Sequence, residues 1–368
     1  MRHNDLQVSN IDSLSRIPID KYSVDLGFSH NVFEDNGFVL RFGVGYESSK
    51  NQLDLFSDDA YKADLNILKT INDKISAELP VSYKRILPNS PIIDFGVYSD
   101  LIVKPSVRYR SENYRAKLGI EFITGDEVNY LFPIVDIELI QVIEEIGLRL
   151  FTQSDYRRNS LYELSEIHPY FQSSFSSYSG YYQRTFNLTA SRAVGPLNTA
   201  LTFSYETYDN DNNFFESTSF NSTIRQGLGY VDRDAFVINP KLEYKLDDQV
   251  QLGLSASYFV FLTDSLDLYY RPDFTLAFHG KEHFLNNKLE LSQDLTFNSA
   301  RSVSQEVFDG ILFRLDSFLD LSLGLKYHAS PTFSFYIKGA NLLGAEYDLW
   351  QLQPVFQRQV WGGLKLRI

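Results

Sequence analysis

The sequence predicts an all-β fold: an antiparallel transmembrane β-barrel of about 16–22 strands, with short periplasmic turns and long outer loops. Three observations predict it. Apolar and polar residues alternate in run after run, which is the period of a strand with two different faces. Many runs extend about ten to thirteen residues, past the five or six usual in globular proteins and near the nine to eleven that cross a bilayer. Short turn-forming connections alternate with longer polar ones, as in outer-membrane barrels.

The runs can be taken in order. Residues 20–32 carry Tyr22, Val24, Leu26 and Phe28 on one parity. Residues 38–46 carry Phe38, Leu40, Phe42, Val44 and Tyr46, with Arg41, Gly43 and Gly45 between them. Equivalent runs start at Tyr61, Ile75, Phe95 and Tyr114, and weaker ones cover 130–139 and 146–152. Further runs start at Phe186, Leu201, Phe236, Val250, Phe274, Leu289, Leu321 and Phe333, and the last ends on Leu364, Leu366 and Ile368. These make seventeen candidate strands. The off-face residues suit a wet lumen, as in Arg115, Lys117, Gly119 and Glu121. Lumen charge is mixed: Arg41, Glu47, Lys62, Lys84, Asp94, Asp100, Lys104, Arg108, Arg110, Lys117, Glu121 and Lys326. Such charges can brace a wide barrel or set solute selectivity. Aromatic residues at the ends of apolar runs, such as Tyr114 and Phe122, fit the interfacial girdles of a membrane barrel.

The connections supply orientation. Asp35-Asn36-Gly37, Ser111-Glu112-Asn113 and Asp247-Asp248-Gln249 are turn chemistry. They alternate with longer polar segments at 47–60, 153–180, 206–235, 262–271, 298–314 and 339–355. Placing the short turns in the periplasm brings the C-terminus to the periplasmic rim and starts the first strand on the outside. An odd strand count also departs from the even number of bacterial barrels. The expectation is therefore a barrel over 20–368, preceded by a 1–19 segment left from an upstream strand, within a longer precursor. No secretory signal is legible after Met1.

Composition removes several classes. The chain has no cysteine, so disulfides, thiolate metal sites and a cysteine nucleophile are excluded. A formal charge of −13 opposes nucleic-acid binding. No run of eighteen uncharged apolar residues exists, so a transmembrane helix is not expected. His279 and His283 stand about 13 Å apart on a strand, too far for one ion. Asp209-Asn210-Asp211-Asn212-Asn213 lacks the glycine and distal glutamate of a calcium loop and reads as a solvated surface loop, as does Asp232-Arg233-Asp234. No nucleophile elbow, phosphate loop or dinucleotide fingerprint is present. No catalytic residue, cofactor or metal is expected. Arg157-Arg158 in the 154–168 segment could meet lipopolysaccharide phosphates or simply solvent.

Two stretches carry a family resemblance. The first runs from Phe333 through Lys338-Gly339-Ala340-Asn341-Leu342 to Tyr347, Trp350 and the closing Gly362-Gly363-Leu364-Lys365-Leu366-Arg367-Ile368. It resembles the end of TonB-dependent receptor barrels. The second, Asn159-Ser160-Leu161-Tyr162-Glu163-Leu164 with His168-Pro169-Tyr170-Phe171, resembles a plugless, receptor-like barrel family of Bacteroidetes-type bacteria. The resemblance covers roughly 130–368. No plug domain or TonB box is recognisable in the sequence. Gly363, Leu366 and Ile368 also resemble the signal that barrel-assembly machinery reads, although an aromatic residue more commonly ends it.

The functional expectation is a bacterial outer-membrane channel or transport barrel that passes or binds small solutes, with loops folding inward to govern diffusion. Its expected partners are outer-membrane lipid, lipopolysaccharide and the barrel-assembly machinery. The alternative is a non-conducting scaffold that binds a surface lipoprotein or another barrel through its outer loops. An enzyme at the rim is a further reading that no local motif supports, and a soluble all-β binding protein, which would fold without detergent, is the last.

Overall fold

The computed structural model describes residues 19–33, 37–51, 57–90, 96–126, 128–143, 145–161, 163, 180–218, 224–246, 249–262, 271–304, 312–350, 353–354 and 357–366. Alternation becomes strand throughout. β1 (Ile19–Phe33), β2 (Phe38–Asn51), β3 (Ser57–Thr70) and β4 (Ile75–Asn89) form an antiparallel meander. The next crossing is in two halves, β5 (Tyr98–Val103) and β6 (Ser106–Arg110), and both pair with β4 and with β7 (Tyr114–Gly125). The break falls at Lys104-Pro105, where proline has no N–H to give a ladder. The Pro105 carbonyl instead accepts from the Ile120 N–H at 3.1 Å.

The meander continues through β8 (Val128–Ile143), β9 (Ile146–Arg158), β10 (Gly180–Val194), β11 (Leu197–Thr218), β12 (Ile224–Leu246), β13 (Val250–Phe261), β14 (Phe274–Phe284) and β15 (Leu289–Asn298). A separate hairpin, β16 (Arg301–Ser304) with β17 (Leu312–Leu315), leads to β18 (Phe318–His328), β19 (Phe333–Ala340), a short hairpin of β20 (Asp348–Trp350) with β21 (Gln353–Pro354), and β22 (Gln359–Leu366). The main sheet holds 18 strands. With β5 and β6 as one crossing, they coincide one for one with the seventeen runs read above. Among the described residues, no register joins β1 to β22.

The two faces differ as the sequence requires. One is apolar and exposed, with Leu26 at 67%, Leu118 at 53% and Leu364 at 66%. An apolar face of this extent needs a lipid solvent. The other face carries the charges and faces inward. The buried side chains gather at the long-loop end, where Glu121, Arg158, Ser160, Tyr182 and Asn341 are nearly inaccessible.

The structure departs from the sequence pattern at two places. Residues 206–218 and 224–235 are strand rather than loop: β11 and β12 pair out to Thr218↔Ile224, with a bulge between Tyr208 and Asp211. Asn210 takes a φ of 55° in that bulge, a conformation asparagine tolerates. Arg158 is not available to surface phosphates, because it is 2% exposed.

β8 and β9 separate part-way up the wall. Their ladder holds from Ile143↔Ile146 to Asp136↔Phe151, with a register shift, and goes no further among the described residues. Pro133 explains the stop. Its partner on β7, Ile120, directs its N–H to Pro105, away from β8, so Pro133 turns its own polar edge toward β9. That edge lacks a donor. Beyond the split, Tyr156 of β9 and Tyr182 of β10 pack on Tyr130 and Phe132 of β8 and on Ile123 of β7. Burial of these rings replaces the missing ladder.

Candidate functional site at the long-loop mouth

Just after β9 the chain folds inward. Asn159, Ser160 and Leu161 are buried. Ser160 and Glu163 form a reciprocal cap: the Ser160 N–H donates to Glu163 Oε2 at 2.8 Å, and the Glu163 N–H donates to Ser160 Oγ at 3.3 Å. This is the capping box of a helix start, and Ser160-Leu161-Tyr162-Glu163 has its spacing. Tyr162 lies outside the described residues.

The turn is fastened to the lumen face of β2, β3 and β4. Lys62 Nζ lies 2.6 Å from Glu47 Oε1 and 2.9 Å from Glu163 Oε1. Lys84 Nζ lies 2.5 Å from Glu163 Oε2 and donates to the Arg158 carbonyl at 2.6 Å. The Leu161 N–H donates to Asp58 Oδ2 at 2.7 Å, and Ser49 Oγ donates to the other oxygen of that carboxylate. Burial pushes the Glu163 carboxyl up, but the ammonium groups of Lys84 and Lys62 and the Ser160 N–H outweigh it and hold it down at about 2. Glu163 is therefore a carboxylate at any physiological pH.

A second group anchors the base of this turn. Arg158 donates from Nε to Asp100 Oδ2 at 3.0 Å and from Nη2 to the Asp126 carbonyl at 2.8 Å. The Tyr156 hydroxyl donates to Asp100 Oδ1 at 2.8 Å. A third group lies across β11 and β12, where Arg233 and Arg271 both engage Asp211, and the Arg233 guanidinium covers the Tyr208 ring.

The residues singled out from sequence fall as follows. Glu47, Lys62 and Lys84 converge on the inward turn; Asp100 takes Arg158; Lys104 pairs with the fully buried Glu121 at 2.6 Å. Asp94, His168 and Ile368 lie outside the described residues. Asp209 pairs with Arg184 rather than lining an ion loop. His279 meets Asp294 at 2.7 Å. Among the described residues, no three His, Cys, Asp or Glu side chains are grouped to hold a metal. Gly363 and Leu366 sit in β22 opposite Tyr336 and Phe333. A Cβ at Gly363 would stand 2.6 Å from the Tyr336 hydroxyl oxygen, so the glycine makes room for that ring. Asn341 takes φ 46° and is 2% exposed; its side chain donates to the Ala345 carbonyl at 2.8 Å and accepts from the Ala345 N–H at 3.0 Å. It is the corner residue of the Lys338–Leu342 motif. The one mark of Glu163 in the sequence is its Ser-x-x-Glu spacing from Ser160.

No protein family model matches the sequence, and no curated protein matches it. Solved structures do. The FrpB iron transporter from Neisseria meningitidis is 9% identical, with a TM-score of 0.69 over 95% of this chain and 64% of that one. A mutant of the ferric enterobactin receptor PfeA from Pseudomonas aeruginosa is 12% identical, with a TM-score of 0.68 over 95% and 62%. The copper transporter OprC is 11% identical, with a TM-score of 0.67 over 96% and 66%. The fold is that of the TonB-dependent outer-membrane receptor barrels. At these identities the likeness is one of fold, and the chain spans less than two thirds of the length of each of these three. The neighbours are receptors and transporters, not enzymes.

Proposed function

We propose that this chain is the barrel of an outer-membrane transporter, and that small solutes pass or bind in a lumen narrowed by its own inward turn at 159–163. The single observation that carries the reading is the double lysine clamp on Glu163, which joins the segment after β9 to the lumen face of β3 and β4. A solvated surface loop has no need of a buried, reciprocally capped turn anchored by two ammonium groups. The receptor-barrel fold of iron and copper transporters supports the same reading.

In this proposal the short turns and the C-terminus face the periplasm, and the clamp lies near the outer mouth. The exposed apolar face meets outer-membrane lipid, with lipopolysaccharide around the outer rim. Gly363, Leu366 and Ile368 serve the assembly machinery as the closing-strand signal.

The test is conductance of the purified, folded barrel in planar bilayers. The reading expects a small current that rises in Glu163→Gln, where the clamp loses its charge. Silent barrels of both proteins, folded by heat-modifiable mobility, would defeat it.

A further inference from the structure

The lumen face at the short-turn end holds cations that the mouth does not use. Lys74, Arg108, Arg110, Arg115, Lys117 and Arg149 line one cavity of about 720 Å³, in a chain of formal charge −13. The register sets like charges against each other: Arg110 lies opposite Arg115, and Arg108 lies opposite Lys117. Directly opposed like charges destabilise a sheet. Neighbouring carboxylates answer part of this. Arg108 and Lys117 share Glu78, Arg115 meets Glu138 at 3.1 Å, and Arg149 meets Asp136 at 2.8 Å.

Arg110 and Lys74 are left over. Neither forms an ion pair with any described residue, and the Arg110 N–H donates to the Lys74 carbonyl at 2.8 Å, which sets the two residues side by side. Arg115 stays half-exposed beside them, at 49%. Two guanidinium forks and an ammonium thus face one cavity whose lining sets six cations against the three carboxylates of Asp73, Asp136 and Glu138. Guanidinium forks match the paired oxygens of carboxylate and phosphate groups.

We propose that this corner of the lumen binds a small, multiply charged oxyanion, whose carboxylate or phosphate oxygens are taken by Arg110, Arg115 and Lys74. The site rests on the transport reading for its purpose, since it would hold an anionic solute on the periplasmic side of the clamp. Its binding can be measured without any transport.

The experiment is calorimetric titration of the detergent-folded barrel with citrate and, separately, with inorganic phosphate at low ionic strength, where screening is weak. Saturable binding of either anion is expected. It should weaken about tenfold in Arg110→Gln and in Arg115→Gln, the loss of one charge-assisted contact. Arg110→Lys, which keeps the charge but loses the fork, should fall between the wild type and Arg110→Gln. Absence of saturable heat with both anions would overturn the proposal. So would equal affinity in the wild type and both glutamine variants, each folded by heat-modifiable mobility. A barrel that binds citrate yet carries no current would uphold this site while defeating the transport reading.

Discussion

The Thr152 hydroxyl lies 2.8 Å from the Pro133 carbonyl and accepts the Val135 N–H at 2.9 Å. One side chain thus bridges the two backbone groups left where the β8–β9 ladder stops. Thr152→Val keeps the shape and removes both bonds. We expect a loss of about 1 kcal/mol in urea unfolding, with faster hydrogen exchange at the Val135 amide and little change in β7. Unchanged exchange at Val135 would contradict the bridging role.

Arg158 and Asp100 are both nearly inaccessible, at 2% and 4% side-chain exposure. Removing one partner strands the other charge away from water. Arg158→Met is expected to cost about 3–5 kcal/mol, and the double variant with Asp100→Asn to recover much of it. A double-mutant cycle on unfolding free energies measures the coupling. Additive losses would show that the pair does not act as a unit.

Asn341 carries two demands at once, a left-handed backbone and both ends of its amide on Ala345. Asn341→Gly keeps the backbone and loses both bonds, whereas Asn341→Asp keeps only the acceptor. We expect Asn341→Ala to be the least stable of the three, by about 2–3 kcal/mol against wild type, since it loses on both counts. Thermal unfolding of the refolded barrels ranks them.

The Glu163 clamp should respond to acid. Its carboxyl falls from an ordinary 4.5 to about 2 on folding. A depressed carboxylate contributes stability in full above its unfolded value and loses it as pH falls through the folded one. The clamp should therefore weaken progressively from about pH 4.5 to about pH 2. In bilayers, wild-type current should rise across that window more steeply than that of Glu163→Gln, which has no proton to gain there. Parallel profiles would exclude Glu163 as the titrating group.

Much of this fold is legible in the sequence because period-two alternation survives any tertiary context: Val24 and Phe28 of β1 meet Tyr46 and Phe42 of β2 in the register that alternation demands. The lumen charges were legible as types, since Glu47, Lys62 and Lys84 occupy the off-face. Their convergence was not, because Glu163, the common partner of the two lysines, lies 101 residues from Lys62 and 79 from Lys84, in a segment without strand periodicity. The 206–235 stretch misleads for a different reason. Asp209 to Asn213 is turn chemistry by composition, but cross-strand pairs such as Tyr208↔Arg233 keep it in the ladder. The β8–β9 split has one sequence mark, Pro133 inside an alternating run, which is the signature of an edge.

The inward position of the 159–163 turn can be tested by thiol labelling, since the chain has no cysteine of its own. Leu161, 4% exposed, is replaced by cysteine, and Ala329→Cys in the exposed turn before β19 serves as the reference. With the folded barrel in lipid vesicles and a small water-soluble maleimide on both sides, the account predicts labelling at 161 about tenfold or more slower than at 329. Adding Lys84→Gln should close much of that gap. Equal rates at 161 and 329 in the otherwise unchanged barrel would contradict the account.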